Sequence, residues 1–157
     1  MMLAGISRDE LEALYADYAD AADNDLARWP QLFTERCLYR VVSRENYELG
    51  LPLSTMSAES RGMLLDRVVA IDRINVHKPR TMRHLYSALR ILDESVDGTR
   101  VASHFAIFES PHGGTTTIFA AGRSFDIVVR EDGTLRFREK VCVYDGDLVS
   151  GSLIYPF

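Results

Sequence analysis

Leu11, Leu14, Tyr15, Tyr18 and Ala22 recur at three- and four-residue spacing, which predicts one apolar face of a helix. Ser7-Arg8-Asp9-Glu10, just ahead of them, has the form of a capping box, with Ser7 as the cap and Glu10 three residues on. Asp9, Glu10 and Glu12 fall near the start of this helix, where negative charge complements the helix dipole. Asp23-Asn24-Asp25 ends the helix and caps a short second one over 26–33, which carries Trp29, Leu32 and Phe33. Residues 37–42 read as a strand, 47–51 as a weaker strand, and the Ser- and Thr-rich stretch 52–59 as a loop. Leu64, Val68 and Ile71 mark one face of a third helix over 60–74.

From Arg83 onward the period changes to two. Leu85, Ser87, Leu89 and Ile91 alternate with His84, Tyr86, Ala88 and Arg90. Asp97-Gly98, Pro111-His112-Gly113-Gly114 and Glu131-Asp132-Gly133 are turn signals that separate strands over 101–110, 115–130 and 135–144. Turns at this spacing make an antiparallel meander. Gly122, in the middle of the longest strand, suits a bulge or bend. Helices first and long strands afterwards predict a single α+β domain over 1–157. A strongly curved, mixed or antiparallel sheet would wrap the N-terminal helices in its concave face and form a cone with an open mouth.

At 157 residues the chain has about one domain's worth of length, on the rule of ~150 residues per domain. The net charge of −5 argues against nucleic-acid binding, which calls for a basic face. Arg80, Arg83 and the run Arg136-Phe137-Arg138-Glu139-Lys140 read as a solvated strand face or ion pairs. Cys37 and Cys142 lie in apolar strand-like runs and read as buried free thiols. The N-terminus has neither the basic region nor the apolar run of a signal peptide. No stretch approaches the ~20 apolar residues of a membrane span. A cytoplasmic protein is expected.

The sequence lacks the glycine-rich nucleotide motifs, the nucleophile elbow, H-E-x-x-H and paired C-x-x-C. Gly113-Gly114 reads as a hairpin turn rather than a phosphate cradle. The histidines, His77, His84, His104 and His112, are scattered rather than set at metal-ligand spacing. The enzymatic option is acid/base work in the mouth of the cone, where Tyr15, Asp17, Tyr18, Asp25, Asp72, His84 and His104 are the candidates. Within it, His84 with Asp25 and Tyr15 would serve a stand-alone isomerase or dehydratase. The same cone could equally serve a small-molecule binding protein. The plainer reading makes His84 and His104 structural and places Tyr15 and Tyr18 in the core.

The motifs Trp29-Pro30-x-Leu32-Phe33-Thr34 and Cys37-x-Tyr39-Arg40 resemble the helix-to-strand passage of the small (β) subunits of aromatic-ring-hydroxylating dioxygenases. Met63-Leu64-x-Asp66-Arg67 and Arg80-x-x-Arg83-His84 are similar to further motifs of that family, and the likeness runs from about Leu11 to Phe157. Many family members follow the Arg-His motif with His-x-Val-Ser-Asn. This chain has His84-Leu85-Tyr86-Ser87-Ala88 and more closely resembles small subunits of oxygenases acting on aromatic acids such as terephthalate or salicylate. The resemblance implies a nuclear transport factor 2-like cone and a non-catalytic structural subunit without cofactor or metal of its own. It also implies a large (α) subunit that carries a Rieske [2Fe–2S] cluster and a mononuclear iron, with three small subunits joined to three large ones. Arg80, Arg83, His84, Leu153, Tyr155 and Phe157 are the expected subunit-interface residues. The four large apolar side chains among 153–157 call for docking, because a free terminus is ordinarily polar and frayed.

Overall fold

The capping box closes as expected. The Ser7 hydroxyl oxygen accepts from the Glu10 N–H at 3.2 Å, and the Glu10 carboxylate accepts from the Ser7 N–H at 2.9 Å. The helix it starts, α1, runs Arg8–Asn24 and buries Leu11, Leu14, Tyr15, Tyr18, Ala21 and Ala22. The structure is a computed structural model that describes residues 5–77, 79–146 and 155–157.

After α1 the chain departs from the expected short helix over 26–33. Only a 3-10 turn forms, Trp29–Leu32, with Pro30 in its first turn. Phe33 is already the first residue of strand β1, Phe33–Ser43, and is wholly buried. The stretch 47–51 is not a strand. Ser43 caps helix α2, Arg44–Glu48, by accepting from the Asn46 N–H, and Arg44 pairs with Glu48 one turn on. Gly50, at φ +66°, takes the left-handed conformation that ends the turn. The expected loop 52–59 contains strand β2, Met56–Ser60, whose alternate residues Met56 and Ala58 face the core. Helix α3, Arg61–His77, follows, with Leu64, Val68 and Ile71 buried.

Four long strands complete the chain: β3 (Arg80–Ser95), β4 (Gly98–Pro111), β5 (Thr117–Glu131) and β6 (Thr134–Tyr144). The six strands form one sheet in the order β2-β1-β6-β5-β4-β3. The meander β3 to β6 is antiparallel, whereas β1 joins β6 in parallel, so the sheet is mixed. Helix α1 lies against β3 and β6, and α3 packs on β1 and β2. This is the α+β cone of the nuclear transport factor 2-like type.

Gly122 marks a close approach. A Cβ there would stand 1.9 Å from the Val143 carbonyl oxygen of the neighbouring strand. A second irregularity decides which side chains face inward. Between the pairs Val128↔Phe137 and Ile127↔Glu139, β6 carries one extra residue, a β-bulge. The bulge shifts the inward phase of β6 from the odd position Phe137 to the even positions Lys140, Cys142 and Tyr144.

Candidate functional site

Lys140 and Asp126 are cross-strand partners on β6 and β5, and both side chains are wholly buried. Lys140 Nζ stands 3.2 Å from Asp126 Oδ2 and 3.1 Å from Ser124 Oγ. The Ser124 hydroxyl donates to Asp126 Oδ1 at 2.6 Å, and the Tyr15 hydroxyl donates to Asp126 Oδ2. Four rings close round the ammonium: Tyr15, Tyr18, Tyr86 and Phe137, with centroids 4.9, 4.5, 4.5 and 4.7 Å from Nζ. A buried cation needs a counter-charge and hydrogen bonds, and the faces of aromatic rings add electrostatic attraction. Burial, with the Asp126 charge beside it, pushes the Tyr15 hydroxyl well above its ordinary range. It therefore serves Asp126 as a hydrogen-bond donor. Of the solvated face or ion pairs expected over 136–140, the ion pairs form, Arg136 with Glu131 and Lys140 with Asp126, and the solvated reading fails at Lys140, which is interior.

His84 lies on the same concave side and is held from both ends. Its Nδ1 is 2.6 Å from Asp23 Oδ1, and its backbone N–H donates to both Asp23 oxygens at 3.2 and 3.0 Å. Its Nε2 is 2.7 Å from the Pro156 carbonyl oxygen. Both ring nitrogens are thus engaged by the protein itself. An acid/base histidine needs one nitrogen within reach of a substrate proton.

The proposed trio of His84, Asp25 and Tyr15 does not assemble. Asp25 is exposed at the C-terminal end of α1, where its N–H donates to the Ala21 carbonyl. His84 takes Asp23 instead, and Tyr15 takes Asp126. Asp17 is exposed and paired with Arg28, Asp72 is exposed on α3, and His104 is exposed on β4. Only Tyr15, Tyr18 and His84 of the mouth candidates lie inside the cone.

Among the expected interface residues, Arg80 is half-buried, bonded to Glu109 at 2.5 Å and set over the Tyr155 ring at 5.3 Å. Glu109 therefore neutralises Arg80 locally, although the sequence near Arg80 offers no acidic neighbour. Arg83 is exposed on the outer side of β3. Tyr155 and Phe157 are buried within their own chain, and Leu153 lies outside the described residues.

Among the described residues no three His, Cys, Asp or Glu side chains come together to hold a metal ion. Cys37 and Cys142 are both buried free thiols; burial pushes Cys37 up to about 11 and Cys142 up to about 12. Among the described residues Cys142 faces Ser124 and the Phe157 carbonyl, and no histidine stands beside it. A Rieske centre takes two thiolates and two imidazoles at one place.

The profile of the family described as ring hydroxylating beta subunit matches residues 16–150. The chain belongs to that family. It is 34% identical over 148 residues to the anthranilate 1,2-dioxygenase small subunit of Burkholderia cepacia, which covers 94% of this chain and 92% of that one. It is 30% identical over 152 residues to subunit beta 1 of the terminal oxygenase component of terephthalate 1,2-dioxygenase from a Comamonas species, covering 96% and 99%. A solved structure described as the beta subunit of an aromatic-ring-hydroxylating dioxygenase of Novosphingobium aromaticivorans superposes with a TM-score of 0.84, at 34% identity and 94% coverage of both chains. The ring hydroxylating beta subunit is thus a structural part of an oxidoreductase for aromatic compounds, without a catalytic centre of its own.

Sequence reasoning missed Asp23, Ser124, Asp126 and Lys140. The signal for Asp23 was weak, because it sits in the Asp-Asn-Asp run that also reads as a helix stop. The signal for Lys140 was hidden by the β6 bulge, which defeats simple alternation.

Proposed function

We propose that this chain is the small subunit of a three-plus-three oxygenase in the cytoplasm. Three copies would stand with three large subunits, each of which carries the Rieske [2Fe–2S] cluster and the mononuclear iron. An aromatic acid is the substrate class that the anthranilate and terephthalate relatives favour. The observation that carries the non-catalytic role is the state of the cone interior. The place where an enzyme of this fold would admit a substrate holds Lys140 in its ring of aromatics and the side chain of Phe157.

His84 acts in this reading through position. It fastens the β3 strand to Asp23 of α1 and to the chain's last residues, and so shapes the surface on which Arg83 stands. Arg83 and, beyond its Glu109 pairing, Arg80 offer planar forks for carboxylates or carbonyls of another chain. Leu85 and Leu92, each more than half exposed on β3, add apolar surface that a partner would cover.

His84→Asn in the assembled oxygenase tests the role. Turnover per assembled complex is expected to stay within a few-fold of the unmodified complex, while the yield of complex or its melting temperature falls. A loss of ~10²-fold or more in fully assembled complex is the scale of a missing general base and would contradict it.

A further inference from the structure

Phe157 is wholly buried, yet the sheet and helices around it are complete without it. Its ring meets those of Phe105, Phe119 and Tyr144 at centroid distances of 6.0, 5.6 and 6.1 Å, edge-on or tilted. Its carbonyl oxygen accepts from the Tyr18 hydroxyl and, at 3.7 Å, from the Cys142 thiol. Its N–H donates to the Tyr39 hydroxyl at 2.8 Å. Among the described residues these partners are all side chains of α1, β1 and β6, and no strand ladder includes Phe157.

A segment held this way is held as a small ligand is held. An apolar pocket takes the ring, and a few convergent polar groups fix the orientation. The site also has donors to spare. Among the described residues the buried Trp29 indole N–H and Tyr86 hydroxyl find no hydrogen-bond partner, and they lie toward Tyr18 and Cys142, the two groups that grip the oxygen.

We propose that the cone interior is a preformed socket for a 3-arylpropanoate, an aromatic ring joined through two carbons to an acyl group, which this chain fills with its own Phe157. The inference goes beyond the subunit role and does not depend on it, since it concerns the isolated chain. Phe157 supplies the ring, the two-carbon spacer and the oxygen in one residue. Removing the whole residue leaves room for the free acid, which can then use Tyr18 and the spare donors.

The test is isothermal titration of 3-phenylpropanoate into the full-length chain. The unmodified protein, its socket filled, is expected to show no saturable binding. The chain shortened by Phe157 is expected to bind the acid saturably and to gain several degrees of melting temperature with it. Adding Tyr18→Phe to that variant is expected to weaken binding about tenfold, because a charge-assisted hydrogen bond is lost. If the shortened chain does not fold alone, refolding it in 3-phenylpropanoate gives the same reading. The inference is overturned if the shortened chain, folded alone or refolded in the acid, shows no saturable binding. Affinity unchanged by Tyr18→Phe would overturn it equally.

Discussion

Asp126 carries the highest local stake in the molecule. With it, Lys140 is a buried cation with one counter-charge, a hydroxyl partner and four ring faces. Without it the ammonium stays buried and unpaired. Asp126→Ala is expected to cost about 3–5 kcal/mol, the scale of breaking a buried pair from one side. Asp126→Ala with Lys140→Met removes both charges and is expected to recover much of that loss, since apolar replacement of a whole buried pair is often neutral. Denaturant melts of the two variants check this, and equal losses would contradict it. Cys142 gives a second test at this scale. Burial pushes its thiol from an ordinary value of 9.0 up to about 12. Between those values the unfolded chain has lost its proton and the folded chain keeps it, so stability is full below about pH 9 and falls as pH rises. The slope from this one group is about 1.4 kcal/mol per pH unit. The unfolding midpoint of the unmodified chain should therefore fall more steeply between pH 9 and 11 than that of Cys142→Ala. Parallel curves would show that the thiol is not shielded. The buried identity of Cys142 was legible from its apolar neighbours, whereas that of Lys140 was not, because a cation in a strand reads as solvent-facing.

At the scale of elements, legibility followed local signals. The α1 start, α3 and the hairpin turns were written in caps, periodicity and turn residues, and they form where expected. The short pieces were not. Residues 44–48 become a helix through one serine cap and one ion pair, and 56–60 become a strand by pairing with β1. Neither cause is visible without the neighbours. The extension of β1 back to Phe33 is likewise tertiary, because the wholly buried Phe33 ring packs edge-on against Trp29 and Tyr39. Gly122 was legible as a special position, and its reason is contact rather than dihedral. Gly122→Ala is expected to lose at least the ~1–3 kcal/mol of ordinary overpacking, because the added carbon meets strand backbone. Gly133→Ala, where nothing lies within 4 Å and only the φ of +77° is strained, is expected to cost about 1 kcal/mol. Thermal melts that ranked the two variants in the opposite order would contradict the close-approach account.

For the whole molecule, the cone was legible from the order of helices and strands, and the family from the resemblance that the motifs at 29–40, 63–67 and 80–84 carry. The internal wiring was not, because Asp23 to His84, Asp126 to Lys140 and Tyr18 to Phe157 are contacts between distant elements. The wiring fills the interior and leaves the outer side of β3 exposed. Arg83 and the exposed apolar residues of β3 are on that outside. Arg83→Glu is expected to weaken association with a large subunit at low salt while the far-UV spectrum and melting of the isolated chain change little. Unchanged association would place the interface elsewhere.

The measurement that bears most directly on the subunit role is native mass spectrometry of this chain co-expressed with a Rieske-bearing large subunit of an aromatic-acid oxygenase, with iron determined in each separated chain. The expected result is a complex of three small and three large subunits, with all of the iron in the large ones. A small chain that remains unassociated at micromolar concentration beside a fully assembled, active large subunit would contradict the account.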